Sequence, residues 1–268
     1  MSHALLMEKL QYAITGKHNS TKQQLKLSRP GSISRMAALH EDRKLFYVVN
    51  PKVANTSIKR IMWADLPGVE SLPSLHGHHP QRCIRQLTDR ELNHILASPE
   101  WLRFSFVRNP YTRIVSAYKD KIYNRDLDGR FLEKLGWPYR YTPDFSTFLQ
   151  IIAEQPEKQM DWHWRPQSSL LMHDLIDYHW LGKMENFNAD MEPVLRRFDD
   201  GRENLARQQL NSRLNATDRA SRDNTNQQRQ KIPTPTLTDA DVQLIRLLYA
   251  EDFRRYGYEL TPPAELLQ

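Results

Sequence analysis

The sequence predicts an α/β protein: a P-loop-like parallel sheet flanked by helices on both faces. Three observations carry this. The unbroken apolar run Leu45, Phe46, Tyr47, Val48, Val49 leads through a loop of small residues into a one-face helical stripe at Ile58, Ile61 and Met62. The same order of strand, loop and helix returns over Arg103–Tyr123. Strand and helix patterns then keep alternating, as they do where crossover helices cover a parallel sheet. Ligands of such sheets bind beyond the carboxyl ends of the strands, which points to the loops after Val49 and Val107.

Taken in order, residues 1–44 read as a basic, polar N-terminal arm and 45–268 as a single domain. Asn50 and Pro51 end the first strand, because Pro51 has no N–H to give to a sheet. A Pro-, Gly- and His-rich stretch follows, containing His76-Gly77-His78. Thr88 with Glu91 three residues on forms a capping box that opens a helix. In the second strand–loop–helix, Phe104, Phe106 and Val107 are the strand and Pro110 suits the first helical position. Ile114, Val115, Tyr118 and Ile122 form its buried stripe. Thr142-Pro143-Asp144 starts a helix that turns Phe145, Phe148, Leu149 and Ile152 inward, and Tyr178–Leu181 reads as a third strand. Met191, Val194, Leu195 and Phe198 mark another helix. Residues 200–236, polar and poor in apolar side chains, read as a long loop or lid. Thr238 and Asp241 cap a last helix that Gly257 stops.

The net charge of +6 calls for an anionic partner, whether nucleotide, acidic glycan or nucleic acid. Cys83 is the only cysteine, so no intrachain disulfide forms. No apolar run approaches the roughly 18 residues of a membrane span, and the first residues are too interrupted for a signal peptide. These signs give the expectation of a soluble cytoplasmic protein with no integral membrane segment. Oligomeric state has no signature in the sequence.

The loop after the first strand has the chemistry of an anion site. The leading N–H groups of a helix lack intrahelical partners. Ala54, Asn55, Thr56 and Ser57 are small enough to let a phosphate reach them, and Lys52 adds charge. No glycine is present and the lysine comes first, so the loop is not a Walker A sequence. Read alone, it is either an anion site or an ordinary turn with an exposed lysine.

Pro51-Lys52-Val53-Ala54-Asn55-Thr56-Ser57-Ile58-Lys59-Arg60 resembles the 5′-phosphosulfate-binding loop of the Golgi carbohydrate sulfotransferases, the group containing the chondroitin 4-O- and HNK-1 enzymes. The run from Phe106 to Tyr118, FVRNPYTRIVSAY, is similar to their 3′-phosphate motif. His163-Trp164-Arg165-Pro166-Gln167, Gly182-Lys183-Met184-Glu185-Asn186 and Tyr249-Ala250-Glu251-Asp252-Phe253 resemble later blocks of that family, in the same order. The resemblance implies a sulfotransferase fold and 3′-phosphoadenosine 5′-phosphosulfate (PAPS) as sulfuryl donor; no metal is expected, because Lys52 and backbone N–H groups would neutralise the donor and no Cys/His spacing matches a zinc motif. It implies that Lys52, Val53, Ala54, Asn55, Thr56 and Ser57 hold the 5′-phosphosulfate, and Arg108 and Ser116 the 3′-phosphate. His163, Trp164 and Arg165 would touch the acceptor, expected to be a carbohydrate or glycoconjugate rather than nucleic acid.

A narrower resemblance bears on the base. His76-Gly77-His78 is similar to the His-Gly-His of the uronyl 2-O-sulfotransferases, where the second histidine serves as base. That implies His78 as the catalytic base, with His76 next in line, and Lys52 stabilising the leaving phosphate; His163 stays open as a further candidate for the base. Two departures from the Golgi pattern, Ser168-Ser169-Leu170-Leu171 in place of a cysteine pair and no N-terminal anchor, lead to the expectation of a cytoplasmic, bacterial relative. Two alternatives stay open: a P-loop small-molecule kinase, and a non-catalytic binder of acidic glycan or nucleic acid built on Arg213, Arg219, Arg222, Arg229 and the Trp162–Trp164 run.

Overall fold

Leu45–Val48 forms a strand in which every residue is buried, and its apolar continuity in the sequence is the consequence of being covered on both faces. In the computed structural model it is β2 of a four-stranded sheet ordered β1-β2-β3-β4. The others are β1 (Ala37–His40), β3 (Leu102–Val107) and β4 (Trp180–Lys183). The structure describes residues 20–28, 35–69, 72, 75, 79–123, 138, 142–198, 200–220 and 234–267, without the side chains of 27–28 and 212–220.

β2 runs parallel to β3, with Leu45 opposite Leu102, and β3 runs parallel to β4, with Val107 opposite Lys183. The segments that follow these three strands therefore leave the same edge of the sheet. β1 is antiparallel to β2, so the sheet is mixed rather than purely parallel. It also lies inside the stretch read as an arm. β4 begins two residues later than the sequence suggested. Within β4 a Cβ on Gly182 would stand 2.5 Å from Phe106 Cε1, so glycine lets the Phe106 ring lie across the neighbouring strand.

The contacts gather the chain into two compact units. One holds Met1–Asn50, Ala54–Val107 and Ser169–Arg222, and the other holds Pro51–Val53, Arg108–Ser168 and Asp223–Gln268. The first contains the sheet and its flanking helices α1 (Thr21–Ser28), α2 (Asn55–Met62) and α3 (Asp89–Ala97). The Thr88–Glu91 capping box stands as expected at the start of α3. Residues 200–236 are not all loop, because Glu203–Ala220 forms a long helix packed against α2. Its thin apolar stripe, with Ala206 and Leu210 buried, is what hid it. Met191, Val194, Leu195 and Phe198 are all buried, but on two short turns, Phe187–Asp190 and Glu192–Leu195, and a 3₁₀ turn, Arg196–Phe198. Asp65 ties the first unit together: its carboxylate accepts from His40 Nε2 at 2.8 Å and from Arg43 Nη2 at 2.7 Å.

The second unit packs α4 (Pro110–Tyr118), α5 (Phe145–Ala153), α7 (Asp239–Leu248) and α8 (Ala250–Tyr256) around Ile114, Phe148, Trp164, Ile245 and Phe253, with α6 denoting the Glu203–Ala220 helix of the first unit. Asp144 caps α5 by accepting from Thr147 N at 2.7 Å, and Thr238 with Asp241 boxes α7. The helix expected to run from Thr238 to Gly257 is two, broken at Tyr249, and Gly257 ends the second in the left-handed conformation with φ 60°. Among the described residues no helix is long and apolar enough to cross a membrane.

Gly182→Ala is expected to lower stability by roughly 1–3 kcal/mol, the cost of overpacking a filled site. The check is a lower urea midpoint, with recovery when Phe106→Leu is added.

Candidate active site

The loop after β2 is held open by its backbone. Buried Asn50 donates Nδ2–H to Phe106 O at 2.9 Å, which fixes the start of the loop against β3. Two non-glycine residues within three positions, Lys52 (φ 71°) and Ala54 (φ 62°), take left-handed conformations. Each costs roughly 1–2 kcal/mol, and such strain gathers at functional turns. Ala54 is the N-cap of α2 and makes no side-chain cap bond. The backbone N–H groups of Asn55, Thr56 and Ser57 are thus set at an uncapped helix N-terminus, the geometry that receives an anion. Tyr47 OH donates to Asn55 Oδ1 and orients it. Val53 is fully buried, so it offers backbone only.

Lys52 reaches Asp120, Nζ to Oδ2 at 2.7 Å, and Lys121 Nζ approaches the same oxygen at 3.2 Å. Asp120 rides on a π-helical turn, Lys119–Tyr123, that continues α4. Burial pushes the Lys52 ammonium below its usual range, with the Asp120 carboxylate opposing the shift only in part. Burial would raise Asp120, but Lys52 and Lys121 hold it below the usual carboxylate range.

Arg108 begins the segment after β3. Its Nη1 donates to Lys52 O at 3.1 Å and its Nε to Thr112 Oγ1 at 3.0 Å. Thr112 and Ser116 are four apart on α4 and share a face, so the guanidinium and the half-buried Ser116 hydroxyl lie on one side of that helix. Gln167 grips the Arg108 backbone from both ends, accepting from its N–H at 2.9 Å and donating to its carbonyl at 2.8 Å. Buried Asp252 in turn accepts from Gln167 N at 2.8 Å and Ser168 N at 2.7 Å.

Arg113 is fully buried and spends its guanidinium on three backbone carbonyls. Nε donates to Pro51 O at 3.2 Å, Nη2 to Trp162 O at 3.1 Å and Nη1 to Arg165 O at 2.9 Å. One planar group therefore fixes the residue before Lys52 and the residue before His163. His163 Nδ1 lies 2.5 Å from Asp161 Oδ1, and the imidazole is 15 % exposed. Burial pulls its pKa down; Asp161 opposes this, and Lys121 and Lys52 add to the lowering.

Two residues expected at the acceptor are instead interior. Trp164 and Arg165 are each 2 % exposed. Trp164 meets Phe148 edge to face at 5.6 Å, and Arg165 Nε donates to Glu157 O at 2.8 Å. Their role here is to seat the segment, and the half-buried Trp162 and His163 are the members of the run nearer solvent. His78 and His76, expected as base and runner-up, lie outside the described residues. Sequence reasoning gave no role to Asp120, Lys121, Asp161, Gln167 or Asp252. Gln167 and Asp252 stood in the motif blocks and Asp161 two residues before a His, while Asp120 comes to Lys52 only through tertiary folding. Among the described residues no group of three or more His, Cys, Asp or Glu could hold a metal ion.

A model of the sulfotransferase family matches residues 35–259. The chain belongs to the sulfotransferase family. It is similar to carbohydrate sulfotransferase 11 of Danio rerio, 27 % identical over 208 residues that cover 69 % of this chain and 58 % of that protein. Carbohydrate sulfotransferase 11 of Rattus norvegicus is 29 % identical over 184 residues, covering 58 % and 51 %. Carbohydrate sulfotransferase 14 of Homo sapiens is 28 % identical over 172 residues, covering 59 % and 45 %. The chain spans about half the length of the curated relatives it matches. No solved structure matches it.

The likeness to carbohydrate sulfotransferases drawn from the motifs is borne out. The expectation of a bacterial, cytoplasmic protein is corrected. The matched relatives are animal carbohydrate sulfotransferases, Golgi enzymes, which does not fit that placement. The physical reason is that a lone cysteine and a lack of apolar runs describe these residues and carry no information on compartment.

Arg113→Lys keeps the charge but lacks the planar fork that reaches three carbonyls. A loss of roughly 2–4 kcal/mol of stability is expected, read from the denaturant midpoint.

Proposed function

We propose that the chain transfers a sulfuryl group from PAPS to a hydroxyl of a carbohydrate acceptor. One observation carries the reading: Lys52, on a strained loop leading to an uncapped helix N-terminus, is joined through its own carbonyl to Arg108. A donor with phosphate at two ends needs cationic and N–H groups at two places, and these loops supply them. The family match favours transfer over the kinase and binding-module alternatives.

In this reading the acceptor oxygen bonds to sulfur as the bond from sulfur to the 5′-phosphate oxygen breaks, releasing 3′,5′-ADP. Lys52 and the N–H groups of Asn55, Thr56 and Ser57 offset the negative charge that grows on the leaving oxygen. Arg108 offers a guanidinium, and Ser116 a hydroxyl, to the dianionic 3′-phosphate. Asp120 is the counter-ion of Lys52 that the donor must replace. The acceptor class rests on the relatives' names, and Trp162, beside His163, is the side chain suited to a sugar face.

Calorimetry with 3′,5′-ADP tests the donor. Arg108→Ala should weaken binding roughly 10- to 150-fold, the worth of about 1.5–3 kcal/mol for charge-assisted bonds. Lys52→Ala should abolish transfer of label from PAPS. An unchanged rate in that variant would refute the assignment.

A further inference from the structure

We propose that His163, held by Asp161, is the base that takes the proton from the acceptor hydroxyl. The proposal rests on the transfer reading above and deepens it.

The geometry comes first. Asp161 Oδ1 accepts from His163 N at 2.9 Å and lies 2.5 Å from His163 Nδ1. With the Nδ1 proton directed to that carboxylate, Nε2 is the basic nitrogen of the ring. A carboxylate that fixes tautomer and ring plane is what a histidine base needs. The second observation is position. The Arg113 guanidinium donates both to the carbonyl before Lys52 and to the carbonyl before His163. Lys52, the group proposed to meet the leaving oxygen, and His163 are thereby fixed to one rigid element. The third is electrostatic. Among the described residues, Asp161, Lys121 and Lys52 act electrostatically on the imidazole, and Asp120 is paired with both lysines. Burial and the lysines keep the ring neutral, which is the form that can accept a proton.

The step balances. The acceptor O–H proton passes to His163 Nε2, the oxygen forms its bond to sulfur, and 3′,5′-ADP leaves with the electron pair of the broken S–O bond. The resulting imidazolium is stabilised by the Asp161 carboxylate beside it. His163 is the catalytic residue and Asp161 a positioning residue.

Two measurements test this on the full chain. Carbon-13 NMR of the histidines, with the His163 signal assigned from His163→Gln, gives the imidazole pKa without any acceptor. It should lie below the ordinary value of about 6.5. Asp161→Asn should move it lower, because the carboxylate supports the charged form. Lys121→Met should move it higher. A His163 that titrates at the ordinary value and ignores both substitutions overturns the proposal. The second measurement is transfer of label from PAPS to desulfated chondroitin. His163→Gln should lower kcat about 10²–10⁴-fold, the usual worth of a general base, with calorimetric 3′,5′-ADP affinity unchanged. The acidic limb of kcat/KM against pH should shift down in Asp161→Asn and up in Lys121→Met, shifts that a purely structural pair would not give. Transfer that survives His163→Gln and fails in His78→Ala overturns the base assignment and leaves the transfer reading intact. A wild-type protein that does not bind 3′,5′-ADP overturns the transfer reading, and this proposal with it.

Discussion

A buried guanidinium organises the second unit. Arg113 has no bulk water and gives its donors to the carbonyls of Pro51, Trp162 and Arg165. Removing such an ion from water costs several kcal/mol, so the arrangement is stable only if its hydrogen bonds are made well. The charge of buried Asp252 helps to hold it, acting at a distance and not through a hydrogen bond to the guanidinium. Because a guanidinium is planar and stiff, its three partners lose their independence. Segments far apart in sequence become one rigid body, and that body carries Lys52, Asp161 and His163.

The loop around Lys52 has the conformation such support makes possible. Left-handed Lys52 and Ala54 would relax if the backbone could move. Pro51 O is held by Arg113, Lys52 O by Arg108, and the Lys52 ammonium by Asp120. The strain therefore stays where α2 begins, and the helix opens without a side-chain cap. A capping serine or aspartate at position 54 would satisfy one of those N–H groups internally. The absence of glycine from the loop follows the same logic: these bonds, and not a permissive residue, impose the backbone.

Much of the fold was legible because the signals were local. Thr88 with Glu91, Asp144, Thr238 with Asp241, and Gly257 each act within one turn, and each stands where the sequence put it. The buried runs of β2 and β3 were equally readable. What was missed depended on partners. β1 is four ordinary residues that become a strand only beside β2. β4 carries the Phe106 ring of the neighbouring strand over Gly182. The Glu203–Ala220 helix carries too little apolar surface to announce itself and is secured by α2. At the site, Trp164 and Arg165 were expected as acceptor contacts from the motif block they stand in, yet both are interior.

The sequence alone determined the chemistry on offer. Lys52 and the small residues after it, Arg108, Ser116 and the histidines are given by type and order, and type and order are enough to mark the family. Tertiary structure alone decided which of these groups act together. A carboxylate comes to Lys52 from a turn 68 residues away, and a single guanidinium aligns Lys52 with His163 across more than a hundred residues of chain. Residue types are written one at a time along the chain, whereas a hydrogen bond between distant segments exists only once the entropy of bringing them together has been overcome.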